Sequence, residues 1–121
     1  MSYHVSIYPT AVGMQARTDP SVTEKIRSLP EIPATHRAAF ISRLKLCGYV
    51  REPSASSLEM VKFFGKTPVT VSFHAGSVTF SVPFWADADE AIFEACMTAS
   101  DLADSPDYCV FDAQKGEWQF T

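Results

Sequence analysis

The amino-acid sequence predicts a small α+β domain, an antiparallel sheet with helices packed on one of its faces. Three observations carry this expectation. The stretch from Val69 to Trp85, VTVSFHAGSVTFSVPFW, alternates apolar and polar residues on both sides of Ala75-Gly76, as a half-buried β-hairpin does. Segments with helical spacing of apolar residues lie before and after it. Short alternating runs sit near both ends of the chain.

Taken in order, Tyr3, Val5 and Ile7 alternate with His4, Ser6 and Tyr8, and Pro9 ends this first strand. Residues 10–18 carry Gly13 and mixed polarity without a period, and read as a loop. Asp19-Pro20 opens a helix, Asp as cap and Pro at the first helical position, with Ser21 and Glu24 as an alternative capping box. Val22, Ile26 and Leu29 give it a narrow apolar stripe before Pro30 and Pro33 stop it. A second helix covers Ala34 to Cys47, with Thr35 as cap and Phe40, Leu44 and Cys47 on one face that Ile41 widens. Gly48 is placed to end it in the left-handed conformation. Tyr49-Val50 starts an extended segment, and residues 53–57, PSASS, form a turn cluster. Leu58 to Phe64 reads as a strand in preference to a helical turn, because Gly65-Lys66-Thr67-Pro68 then connects it to the next strand.

In the central hairpin a two-residue loop at Ala75-Gly76 sets 73 against 78, 71 against 80 and 69 against 82. A slip of one residue would reverse every side chain, so the register is well specified. Val69, Val71, Phe73, Val78, Phe80 and Val82 then form a core face, and the other face is a carpet of hydroxyls. Beyond Trp85, Asp87 and Glu90 form a capping box to which Asp89 adds charge, and a helix runs to about Ala103. Its inner stripe reads Ile92, Ala95, Cys96, Ala99, Leu102 and Ala103, flanked by Phe93 and Met97. Asp104-Ser105-Pro106-Asp107 breaks the helix, and Tyr108 to Asp112 is a strand. Residues 113–116 make a four-residue turn, and Glu117 to Phe120 returns with Trp118 and Phe120 on one face. This order predicts a single domain over residues 1–121, a two-layer sandwich of ferredoxin-like type.

With 46% hydrophobic and 20% charged residues the composition is globular, so wholesale disorder is excluded. No apolar run reaches the roughly 18 residues of a membrane span, and the opening MSYHVSIYP lacks the pattern of a signal peptide. Cys47, Cys96 and Cys109 have no CxxC spacing and leave one unpaired, which points to a reducing cytoplasm. Net charge is −4, unevenly spread. Up to Lys66 nine Lys/Arg face five Asp/Glu, a net +4; from Thr67 onward one faces nine, a net −8. The acidic half argues against nucleic-acid binding and suits a basic partner.

The polar sheet face, carrying His4, Ser6, Tyr8, Thr70, Ser72, His74, Thr79 and Ser81, is the first functional candidate. It has three uses: a solvated surface, a protein or homodimer interface, or the wall of a small-molecule groove. His4 and His74 with Cys109 are the nucleophile–base candidates. The second candidate is an acidic patch of Asp101, Asp104, Asp107, Asp112 and Glu117, which lacks the spacing of an EF-hand loop. None of the common catalytic, nucleotide or zinc motifs occurs, so no metal, no cofactor and no catalytic residue is expected.

The stretch Tyr108 to Trp118, YCVFDAQKGEW, resembles the YDPQ-x-GE ending of several small bacterial α+β families, some grouped with immunity proteins that neutralise toxins of neighbouring cells. Phe111-Asp112, Gln114, Gly116 and Glu117 carry the likeness, and Ala113 departs from the usual proline. The resemblance implies a bacterial, non-enzymatic protein. The leading expectation is a cytoplasmic protein-interaction domain that binds a basic partner; the alternatives are a small-molecule binder or enzyme using the open face, and a homodimer built by sheet packing.

Overall fold

A computed structural model describes residues 2–19, 30–52, 58–83 and 88–120. Among them seven strands form one antiparallel sheet, accompanied by three helices, an α+β architecture. The elements are β1 Ser2–Pro9, α1 Thr10–Ala16, α2 Ala34–Leu46, β2 Val50–Arg51, β3 Glu59–Phe64, β4 Thr67–Phe73, β5 Val78–Pro83, α3 Asp89–Leu102, β6 Tyr108–Asp112 and β7 Glu117–Phe120. The strand order is β2-β3-β4-β5-β1-β6-β7, so the first strand lies inside the sheet between β5 and β6.

The central hairpin takes the register expected from its alternation, with Val71 opposite Phe80 and Phe73 opposite Val78. The pair closes through a hydrogen bond from His74 N to Ser77 O, 2.9 Å, around Ala75-Gly76. Phe84 and Trp85 lie outside the described residues. Leu58 to Phe64 is extended as expected, forming β3, and a two-residue turn, Gly65-Lys66, joins it to β4; Gly65 has φ 62°. The connection is therefore shorter than the sequence suggests, because Thr67 and Pro68 already belong to β4.

Helices α2 and α3 cover the face that carries Val5, Ile7, Val71, Phe80 and Val110. From α2 come Phe40 and Leu44; its N-cap is Pro33, with no side-chain cap, so Thr35 sits inside the first turn. Its other end is a Schellman motif: Tyr49 N reaches Leu44 O at 3.0 Å and Gly48 N reaches Lys45 O at 3.1 Å, with Gly48 at φ 97°. The α3 stripe is rotated from the expected one. Ala91, Ala95, Ala99 and Leu102 are buried, Ile92 and Cys96 lie on the margin, and Phe93 and Met97 face outward. A row of alanines brings the helix axis close to the sheet, which leaves the wider side chains no room beneath it. The helix expected from Asp19-Pro20 and the turn at 53–57 lie outside the described residues, as does Asp87; the N-cap of α3 is Ala88.

Two features correct the expectation. The segment read as a loop contains α1, and α1 lies on the other face of the sheet, so the helices do not share one side. Val12 and Ala16 pack there with Tyr8 and Trp118 in a second, smaller apolar cluster. Gly13 makes this possible. A Cβ at that position would stand 2.6 Å from Cys109 Sγ and 2.9 Å from the Phe120 ring. The absent side chain lets the helix backbone rest on the sheet.

Candidate functional site

The eight residues of the polar face lie on one side of the sheet, six of them in two rows set by the strand pairing. One row runs Thr70, Ser81, His4, and a second runs Glu59, Ser72, Thr79, Ser6, Phe111, Trp118. Within them Ser81 Oγ and His4 Nδ1 are hydrogen-bonded at 3.0 Å, Ser6 Oγ and Thr79 Oγ1 at 2.9 Å, and Ser72 Oγ reaches Glu59 Oε2 at 3.4 Å. Ser6 is buried, while Thr70, Ser72, Thr79 and Ser81 are half-buried and His4 and His74 exposed.

His4, Tyr8 and His74 do not converge. Tyr8 lies four residues beyond His4 on β1, and His74 four beyond Thr70 on β4, each about 13 Å along the strand from the His4 row. Tyr8 turns instead toward Trp118, ring centroids 5.6 Å apart, beside α1. Cys109 shares this face but is 1% exposed beneath Gly13, and burial pushes its thiol up to about 11. A thiol so placed is neither accessible nor ionised at neutral pH. Both edges of the face are apolar: Val50 and Phe63 stand exposed on the β2–β3 side, and Phe111 and Trp118 lie 4.6 Å apart on the β6–β7 side.

The acidic patch divides in two. Asp101, Asp104 and Asp107 are exposed around the end of α3, whereas Asp112 and Glu117 pair at the opposite end of β6. Asp112 is not a surface acid. It is 8% exposed, accepts the Tyr3 hydroxyl, and its Oδ1 takes the backbone N–H groups of Gln114 at 3.1 Å and Lys115 at 3.2 Å. Gln114 in turn accepts from His4 N at 2.9 Å and donates to Ser2 O at 3.0 Å. With Gly116 at φ 65°, Asp112, Gln114 and Gly116 build the β6–β7 turn and tie it to β1.

Among the described residues, larger cavities lie on the helix side. One, about 280 Å³, runs between α3 and the β6–β7 edge and is lined by Phe93, Cys96, Met97, Val110, Asp112 and Gln119 among others. Another, about 260 Å³, lies where α2, the end of α3 and the start of β6 meet. It brings together His36, Arg43, Asp104, Asp107 and Tyr108, of which only the two acids stood out in the sequence, as helix breakers and members of the acidic patch. His36 Nδ1 and Tyr108 Oη are 2.6 Å apart although 72 residues separate them, so no local motif announces the pair. Among the described residues no group of three His, Cys, Asp or Glu is arranged to hold a metal ion, and no helix is long and apolar enough to cross a membrane.

Burial also raises the phenols of Tyr3, Tyr8, Tyr49 and Tyr108, Tyr49 to about 12. On unfolding, Tyr49 and Cys109 return toward 10.0 and 9.0. The unfolded chain therefore releases these protons first as pH rises, and stability falls with pH through that window. Thermal melts under reducing conditions should show a decline in stability between pH 9.0 and about 12. A level profile throughout would contradict the burial of both groups.

No protein-family model matches the chain, and no curated protein is similar to it at a significant level.

Proposed function

We propose that this is a non-catalytic, cytoplasmic protein-interaction domain whose contact surface is the open sheet face, and that its partner is a basic protein. The observation that carries the reading is the composition of that face: a hydrogen-bonded hydroxyl centre between two apolar margins, exposed Val50 and Phe63 on one and Phe111 with Trp118 on the other. A polar, hydrogen-bonding surface with aromatic anchors is what a protein contact uses. The net charge of −4 favours encounter with a basic surface. Three free cysteines suit a reducing compartment. The YDPQ-x-GE-like tail supports a bacterial, immunity-type binder of a toxin. The inner strands β4-β5-β1-β6 with α2 and α3 follow the order of a ferredoxin-like unit, and we read β2, β3 and β7 as additions that widen the face.

The test is capture of a stoichiometric partner from the source organism by the wild type and by Thr70→Arg/Ser81→Arg, which places two cations on the face. The expected result is a salt-sensitive complex that the variant loses. No stoichiometric partner, or a complex the variant retains, removes the reading. A second copy is the other occupant these apolar margins favour, and sedimentation at micromolar concentration separates it from a foreign partner.

A further inference from the structure

We infer that the cleft between α2, the end of α3 and the start of β6 is a binding site for a small zwitterion of the amino-acid type, separate from the sheet face. Its lining carries both signs of charge. Arg43 stands on the α2 wall, and Asp104 and Asp107 on the turn that follows α3. Phe40, Leu102 and Ala39 supply apolar surface beneath them. A plain anion would meet two carboxylates, and a plain cation would meet a guanidinium. A molecule with an ammonium at one end and a carboxylate at the other satisfies all three.

The donors are set for this. Tyr108 Oη lies 2.6 Å from His36 Nδ1, and burial holds the phenol protonated. This contact fixes the His36 ring at the rim of the cleft, on the same helix as Arg43. One Arg43 nitrogen, Nη2, donates to Asp101 O at 2.6 Å, which fixes the arm and leaves the remaining N–H groups of the fork.

The acidic wall is preorganised as well. Ser105 Oγ accepts Asp107 N at 3.1 Å, and from below Thr10 N donates to Asp107 O at 2.9 Å and Thr10 Oγ1 to Pro106 O at 2.7 Å. Tyr108 is wedged edge-on against Phe40, centroids 5.1 Å apart. At about 260 Å³ the cleft lies under the range of drug-sized sites and matches a single amino acid with an apolar side chain.

The experiment is an NMR titration of the intact protein with L-leucine, with isopentylamine, which lacks the carboxylate, and with 4-methylpentanoate, which lacks the ammonium. L-leucine should saturate with a dissociation constant on the order of 0.1–1 mM and shift amides of α2 and residues 103–108. Each analogue should bind roughly tenfold more weakly. Arg43→Gln should reduce leucine to the affinity of the amine, and Asp104→Asn/Asp107→Asn to that of the acid; all three positions are exposed, so the fold is retained and far-UV circular dichroism checks it. No saturable shift with leucine overturns the proposal. So does an analogue that binds as tightly as leucine, or a variant that binds leucine as well as the wild type.

Discussion

Replacing Phe80 by alanine should lower the unfolding free energy by about 3–5 kcal/mol. Phe80 is fully buried at the middle of β5, between Val71 of β4 and Val5 of β1, and its ring meets Tyr49 nearly edge-on at 6.3 Å. It is the one aromatic ring of β5 among the described residues, and strands on both sides rely on it. The alanines of α3 above cannot swing down to fill the space, so a cavity remains and adds to the lost transfer energy. Since a domain of this size has about 5–15 kcal/mol in total, the variant stands near the limit of folding. Thr79→Ala, one residue earlier on the opposite face, removes a half-buried hydroxyl pair and should cost about 1 kcal/mol. Urea unfolding of the two variants side by side measures the asymmetry of the sheet; equal losses would mean that the assignment of faces is wrong.

Gly13→Ala in α1 should destabilise by about 1–3 kcal/mol through overpacking, although alanine in a helix interior is ordinarily better than glycine by about 1 kcal/mol. The new methyl would enter a space already taken by Cys109 Sγ and the Phe120 ring. The ring has little freedom to leave, because the Arg17 guanidinium lies over it at 4.4 Å. Cys109→Ala removes the closest atom, so Gly13→Ala introduced into that background should cost less than it does alone. The coupling in the four-variant cycle reads the contact directly. A neutral Gly13→Ala with no coupling would show that α1 does not rest on the sheet.

The contrast between these two positions explains what was legible in the sequence. Phe80 announces itself, because period-two alternation on both sides of a short turn has one register that buries everything apolar. Gly48 was readable for a similar reason: it follows a periodic run at the place where a left-handed residue ends it. Gly13 carried the opposite message. Four residues after Pro9, and with only Val12 and Ala16 to mark a face, it looked like a break in structure. Its use is close approach, and the surfaces approached, Cys109 and Phe120, are about a hundred residues away.

Charge counting failed at Asp112 in the same manner. The residue type and its neighbours suggested a surface acid, but the turn folds its carboxylate inward beneath Tyr3. The polar face was visible because a strand pattern reports both of its sides. The cleft was not, since His36 and Arg43 belong to α2, Tyr108 to β6, and Asp104 and Asp107 to the turn between α3 and β6, and only the packing of α2 against the end of α3 brings them to one rim.

The place of β1 in the sheet has a consequence for how the protein is made. This strand is synthesised before the others, yet both of its neighbours arrive late: β5 more than seventy residues on, and β6 about a hundred. The Tyr3–Asp112 contact that fastens it spans 109 residues. Until β5 has been translated, β1 has no partner to pair with, and its other edge stays open until β6 follows. The sheet closes only after β6 has been made and slots in beside β1. Folding of this kind is slow and all-or-none, and the period before closure is when the nascent chain most depends on chaperones.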